Sequence, residues 1–483
     1  VNFRPVLRFL GRLLLILASA QLVPLGCSLV YGEWGGALAF FLSALMTAAC
    51  GWAMMVLGRG NGELYRREGV LIVVGGWLVA SLFGALPYLI SGTIAHPVDA
   101  LFEAVSGFTT TGASVLTDIA GQSRGILFWR SFTQWLGGMG IIVLFVALLP
   151  ELGPGARFLY KLEVPGPTAE ALSPRIRDTA LVLWKLYLGF TVVQTALLWI
   201  AGLSLYDALT HTFATLSTGG FSPRNESVAA FESMPLVVVI ITVFMILAGG
   251  NFSLYFGLRR GRLSGLWRDP EFRLYLVILG LATAIVCWDV MRAGHYISLG
   301  RAFLHSAFQV ASIMTTTGFA TANFDHWPVL SKMLLVMLMF IGGCAGSTSG
   351  SMKVMRMVIG LKFALREVRL TFSPNTVLTV FVGGKPLPEA VVRAVAGFFI
   401  LFLTSWGLGT LLLTLEGGNL VTAGTAAIAT LGNVGPGLSA VGPVENFAFF
   451  SATSKLLMIL LMLLGRLEVY AIAALFPWRF WRS

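Results

Sequence analysis

Charge is scarce in this chain. Lysine, arginine, aspartate and glutamate make up only 11% of its 483 residues, against 57% hydrophobic ones, and mean hydropathy is strongly positive. That balance excludes a soluble globular protein, in which about 25% of residues are charged. Cysteine is also rare. Cys27, Cys50, Cys287 and Cys344 lie in apolar or glycine-rich surroundings without paired spacing, which argues against a disulfide framework or a metal cluster and reads as small buried hydrophobes. No Walker-type Gly-Lys-Ser/Thr loop, dinucleotide fingerprint or acid pair occurs, so neither nucleotide hydrolysis nor enzymatic catalysis by this chain is expected, and no bound cofactor.

What the chain has instead is apolar runs of roughly 20 residues, the length that crosses a bilayer. They fall at 10 to 32, 36 to 57, 70 to 91, 126 to 149, 180 to 202, 235 to 257, 272 to 292, 329 to 341, 391 to 414 and 455 to 476. No room is left for a sizeable soluble domain, and the fold class is an all-α polytopic membrane protein. The run at 329 to 341 is too short to span alone; it either continues through the glycine-rich residues that follow or stops inside the membrane. Arg4, Arg8 and Arg12 followed by Ala18-Ser19-Ala20 have the outline of a signal peptide. The apolar runs that continue directly, with Arg59, Arg66 and Arg67, fit a hairpin returning to its starting side.

The net charge of +11 raises nucleic acid as a partner, but the placement of the charges argues for a bilayer instead. Basic residues cluster at 4 to 12, 59 to 67, 157 to 177, 259 to 273, 353 to 369 and 479 to 482. The loops between hold mostly acids: Asp99, Glu103, Asp118, Asp207, Glu226, Glu232 and Asp325. The positive-inside rule then puts both termini and every basic cluster in the cytoplasm. The alternation divides the chain into an initial two-helix hairpin, 1–68, and four units, 69–178, 179–270, 271–387 and 388–483.

Each unit repeats one order of parts: an apolar run, a short amphipathic run, a polar break, and a second apolar run. The breaks are FTTTGAS at 108 to 114, LSTGGFS at 216 to 222, MTTTGFA at 314 to 320 and LGNVGPGLS at 431 to 439. Aligned on Gly112, Gly220, Gly318 and Gly435, they recur roughly every 100 residues, and Gly138, Gly249, Gly343 and Gly465 follow about 25 to 30 residues later. A single Thr-Thr-Thr-Gly is ordinarily a loop or a helix-packing site; four in matching positions are a repeat. Non-helical backbone survives at membrane depth only where protein buries it or where it lines a water-filled path, so four re-entrant pieces around one axis make a pore. The amphipathic runs suit half-helices entering from outside, with C-terminal dipole ends favouring a cation at the centre. Glycine permits the backbone angles that carbonyl-lined strands need, and carbonyls replacing a hydration shell is how potassium filters work. No acidic ring accompanies the breaks, so the expected ion is monovalent, potassium first and sodium second.

These breaks, the preceding hairpin, GGCAGSTSGSMK at 342 to 353 and GRLEVY at 465 to 470 resemble the TrkH family of the Trk/Ktr/HKT potassium-transporter superfamily over essentially the whole chain. The resemblance implies a pseudo-symmetric fold of four helix/pore-loop/helix repeats around a central pore, each strand built about one glycine. It carries the filter to Thr110, Thr111 and Gly112; Thr218, Gly219 and Gly220; Thr316, Thr317 and Gly318; and Asn433, Val434 and Gly435. A glycine in all four strands is the potassium pattern, whereas sodium-selective plant relatives place a serine in the first. The family also implies a bacterial inner-membrane location, a homodimer and a cytosolic nucleotide-binding ring of the TrkA type.

Gly342, Gly343, Gly346, Ser347, Thr348, Ser349 and Gly350 form a run that a membrane helix does not tolerate. Glycine costs about 1 kcal/mol per residue there, and serine and threonine compete for backbone bonds. The run is either a close-packing stretch of small residues or a loop obstructing the cytoplasmic half of the pore; the resemblance favours an intramembrane gate. Arg466 sits inside the last apolar run, where an arginine costs about 2.5 to 3.5 kcal/mol. It snorkels, pairs with Glu468, or faces the pore and repels cations; the resemblance gives it the gating role. Lys353 reads as a marker of the cytoplasmic interface. His211 and His305, without ligand-spaced partners, read as packing or hydrogen-bonding residues. Residues 150 to 178, with 259 to 273 and 353 to 388, are the expected docking surface for a partner. Two modes of transport follow: channel-like potassium uptake down the electrochemical gradient, or potassium coupled to protons or sodium. Coupling usually uses a titratable residue in the path, and Glu468 is the nearest candidate, so the channel is favoured.

Overall fold

The computed structural model describes residues 2–60, 65–140, 176–258, 267–416 and 418–481. Phe3–Val30 and Trp34–Leu57 form an antiparallel hairpin against the first unit. Each unit then supplies an outer helix, a short pore helix and an inner helix. In unit 1 these are Arg66–Gly84, Pro97–Phe108 and Arg124–Gly138; in unit 2, Ile176–Ile200, Leu205–Leu216 and Pro235–Ala248. Unit 3 has Pro270–Arg292, Leu299–Met314 and Val329–Phe340, and unit 4 has Glu389–Thr414, Leu420–Leu431 and Ala452–Arg466.

The helix starts are written in local chemistry. Ser204 accepts a hydrogen bond from the Asp207 N–H and Asn419 from that of Val421, while Pro97 opens the first pore helix with Asp99 in its first turn. Asp269 caps the outer helix of unit 3 at the Phe272 N–H, with Pro270 just inside. Among the described residues, six helices are long and apolar enough to cross a membrane: Phe3–Val30, Trp34–Leu57, Arg67–Ile90, Ala180–Ile200, Pro270–Arg292 and Glu389–Thr414. They turn Trp52, Trp199, Ile285, Trp288 and Leu411 outward, while most of the pore-helix residues are buried. An apolar exterior around a polar, buried centre is the arrangement a bilayer stabilises.

Two expected spans are interrupted, and a third is described only in part. The run at 126 to 149 ends its helix at Gly138, with 141 to 149 outside the described residues. The run at 235 to 257 breaks after Ala248 and resumes as Phe252–Leu258, and the run at 455 to 476 breaks after Arg466 and resumes as Tyr470–Ala473. The cause is packing against the pore helices. A Cβ on Gly137 would overlap the Phe108 carbonyl, and one on Gly465 the Leu431 carbonyl. The inner helices of units 1 and 4 are therefore pressed against the ends of their own pore helices at the level where they stop. Val329–Phe340, 12 residues long, stops short of a full span and the chain resumes as the helix Val354–Phe372.

Cys50 is exposed and Cys27 partly so; only Cys287 and Cys344 are buried. An apolar stretch does not say which of its faces meets lipid and which meets protein. Of the expected docking surface, 150 to 175 and 259 to 266 lie outside the described residues. The remainder contains Val354–Phe372 and a small hairpin pairing Phe381 with Pro386 and Val382 with Lys385.

Candidate functional site: four strands and the loop beneath them

All four pore helices end in the same way. Thr110, Thr218, Thr316 and Asn433 take left-handed φ values of 55°, 54°, 58° and 53°. The next residue's N–H then reaches back five residues, from Thr111 to the Ser106 carbonyl at 2.9 Å, and from Gly219 to Ala214, Thr317 to Ser312 and Val434 to Ala429 at 2.8 Å. This is the Schellman termination, and it sends the chain back outward in extended form. One residue later come Gly112, Gly220, Gly318 and Gly435, with φ of 82°, 78°, 81° and 102°. The fourth strand, most divergent in sequence, shares this register.

The four glycines close a ring. A Cβ on Gly112 would overlap the carbonyl oxygen of Gly219; on Gly220, that of Thr317; on Gly318, that of Val434; and on Gly435 it would lie 2.7 Å from that of Thr111. Each glycine thus faces the carbonyl preceding the next unit's glycine, and the fourth returns to the first. All four line one cavity of about 120 Å3, which Arg130, Arg224 and Glu445 also border. The pore helices' C-terminal ends, with their partial negative charge, converge on this ring. Gln134 fixes the second strand from behind, donating to the Gly219 carbonyl at 2.6 Å and accepting from the Phe221 N–H at 3.0 Å.

His211 has Nδ1 2.8 Å from the Asp207 carbonyl and Nε2 3.1 Å from the Ser222 hydroxyl. His305 has Nδ1 3.1 Å from the Thr321 hydroxyl. Among the described residues no three metal-ligating side chains come together.

Beneath the ring, residues 341 to 353 leave the helix and cross under the strands of units 2, 3 and 4. The Thr348 hydroxyl bonds the Leu216 carbonyl at 2.9 Å and lies 3.4 Å from the Thr218 hydroxyl in unit 2. The Gly350 N–H donates to the Thr316 hydroxyl at 2.7 Å, and a Cβ on Gly350 would collide with the Gly432 carbonyl in unit 4. Gly343 packs against Gly249, and its N–H bonds the Ser349 hydroxyl at 3.0 Å. Ser347 bonds Ser349 at 2.7 Å, and Gly346 supplies a turn with φ of 75°. Gly342 ties the two limbs, its N–H donating to the Met352 carbonyl at 2.7 Å. Arg466 joins this layer from unit 4, donating to the Thr348 carbonyl at 3.0 Å, the Thr110 hydroxyl at 3.3 Å, the Gly138 carbonyl at 3.0 Å and the Gly137 carbonyl.

Two expectations change here. Glu468 pairs with Arg356, not with Arg466, because the chain breaks between them and Glu468 turns toward the helix Val354–Phe372. Lys353 does not mark an interface: it is 2% exposed, donates to the Ser349 carbonyl and lies 3.3 Å from the Ser349 hydroxyl. Sequence reasoning also missed Glu271, whose carboxylate accepts the N–H groups of Ala345 at 2.8 Å and Met355 at 2.9 Å, one on each side of the loop. The only sequence signal was an acid just inside a helix start, which reads as ordinary dipole compensation.

A sequence model of the TrkH family, described as cation transport protein, matches residues 38–479. The Trk system potassium uptake protein TrkH of Salmonella typhimurium is 39% identical over 490 residues, and that of Escherichia coli K12 is 38% identical over 493, each alignment covering 100% of both chains. The crystal structure of the potassium transporter TrkH from Vibrio parahaemolyticus superposes with a TM-score of 0.90 at 37% identity, again over 100% of both chains. Fourfold strand geometry, full-length similarity and shared architecture agree: the chain is a polytopic membrane protein of the TrkH family of cation transport proteins.

Proposed function

We propose that the chain takes up potassium across the bacterial cytoplasmic membrane through a selective, gated pore. The observation that carries this reading is the closed ring in which each of four glycines faces its neighbour's carbonyl. Thr110 to Gly112, Thr218 to Gly220, Thr316 to Gly318 and Asn433 to Gly435 are its filter strands, offering backbone and hydroxyl oxygens in place of an ion's water. Residues 342 to 350 are the gate, and Arg466 beneath the first strand adds a positive charge that opposes cation passage while the loop is in place. Opening requires the loop to leave its bonds to Leu216, Thr316 and Thr348's partner Arg466. The relatives' names, which speak of a Trk system, support a multi-subunit assembly; a homodimer with a TrkA-type nucleotide-binding ring on the cytoplasmic face is the form proposed, with both termini cytoplasmic. No catalytic role and no cofactor is assigned; potassium is the substrate.

The test is rubidium uptake by the purified chain in liposomes, with voltage and potassium, sodium and proton gradients imposed separately. Flux that follows voltage and the rubidium gradient alone, with competition by potassium and not by sodium, is the expected result. Flux that requires a proton or sodium gradient makes the strands a binding site in a coupled transporter and removes the channel reading.

A further inference from the structure

Nine residues before the glycine of each strand, the pore helices carry Glu103, His211, Gln309 and Ala426. Equivalent in position, they differ in what they hold. Glu103, wholly buried, accepts from the Ser114 hydroxyl at 3.0 Å and the Val115 N–H at 2.9 Å. His211 lies 3.1 Å from the Ser222 hydroxyl. Ser114 and Ser222 each stand two residues beyond their strand's glycine. Gln309 bonds farther along, to the Ala322 carbonyl at 3.2 Å, and Ala426 has only a methyl to offer. At this one position the polar link bracing the outer strand moves farther along in unit 3 and is absent in unit 4.

In unit 1 the carboxylate has a cation. Arg130, from the inner helix Arg124–Gly138, is 1% exposed, with Nε 2.7 Å from Glu103. Its Nη2 donates to the Ser114 hydroxyl at 3.1 Å, and its Nη1 to the Ser222 carbonyl of unit 2 at 3.3 Å. Its guanidinium lies 4.1 Å over the Phe221 ring. One side chain therefore spans two strands at Ser114 and Ser222, each two residues beyond its glycine. A buried ion pair gives little net stability over an apolar pair of the same volume, so stability alone does not account for it. What it supplies is fixity, because neither strand moves without unpairing a buried charge.

We propose that Glu103 and Arg130 are positioning residues for ion selectivity. They hold the first and second strands at a fixed separation, so that the ring at Gly112 and Gly220 suits a larger monovalent cation and does not contract around sodium. This inference rests on reading the four strands as a filter.

The experiment compares the full chain with Glu103→Gln, Arg130→Lys, Ser114→Ala and Gly220→Ser in liposomes, measuring rubidium and sodium uptake per reconstituted protein under one voltage. Glu103→Gln keeps the shape and removes the charge; Arg130→Lys keeps the charge and cannot reach all its partners at once. Both are expected to lower the rubidium-to-sodium ratio by about tenfold, the scale of one charge-assisted hydrogen bond. A purely structural role lowers both fluxes together and leaves the ratio unchanged, which overturns the proposal. Should the charge variants not reach the bilayer, Ser114→Ala, which leaves the ion pair in place, is expected to lower the ratio several-fold; an unchanged ratio there overturns it equally. A ratio unmoved by Gly220→Ser sinks the filter reading itself. A ratio that moves in Gly220→Ser but not in the brace variants sinks only the brace.

Discussion

Thr110, Thr218 and Thr316 are β-branched residues at φ of 55°, 54° and 58°, a conformation that costs a residue with a Cβ about 1 to 2 kcal/mol and that glycine takes freely. Their side chains explain why glycine is not there. Thr110 meets Arg466, Thr218 meets Thr348, and Thr316 receives the Gly350 N–H, while Asn433 donates to the Thr111 hydroxyl at 2.9 Å and the Met462 carbonyl at 3.0 Å. Local strain is held in place by contacts to the layer below, as at other functional sites. Arg466→Ala removes the guanidinium from that layer and its bonds to units 1 and 3. Rubidium flux through the reconstituted variant is expected to rise several-fold, and an unchanged flux would remove Arg466 from the gate. Arg466 was legible because an arginine is conspicuous in an apolar run. Lys353 and Glu271 were not, because each follows a basic or polar stretch where an exposed charge is the ordinary reading and only folding buries it.

Among elements, the inner helices are the least expected feature. The apolar runs of units 2 and 4 are long enough to span, yet their helices stop at Ala248 and Arg466, beside glycines pressed on the Thr315 side chain and on the Leu431 carbonyl. In unit 3 the interruption lengthens into the loop, held on both sides by Glu271 and across its tip by Lys353. Gly350 is the loop glycine pressed on the fourth strand: a Cβ there would collide with the Gly432 carbonyl and lie 2.9 Å from the Asn433 Cβ. Gly350→Ala is therefore expected to push the loop out from under the strands, raising rubidium flux and hastening amide hydrogen exchange across residues 342 to 351. Faster exchange without increased flux would show that the loop does not lie in the ion's path.

For the whole molecule, the distribution of charge carries the proposed orientation, because lysine and arginine near span ends act through number and position alone. Glu226 and Ser373 are both exposed, on the acidic and basic sides of the chain respectively. In a background lacking Cys27, Cys50, Cys287 and Cys344, a membrane-impermeant maleimide is expected to label Glu226→Cys in intact cells and Ser373→Cys only after permeabilisation. The reverse pattern would invert the assigned orientation.

Composition and periodicity determined that this chain spans a membrane, that it repeats fourfold and that a glycine stands at the centre of each repeat, because hydropathy, charge bias and backbone freedom are properties of residues and short windows. Which carbonyl each glycine faces, where the inner helices stop, how Arg130 ties two strands together and what Arg466 and Lys353 touch were decided only in the tertiary structure. Those contacts join residues from different units, or set how deeply one helix presses on another, and no local pattern carries that distance.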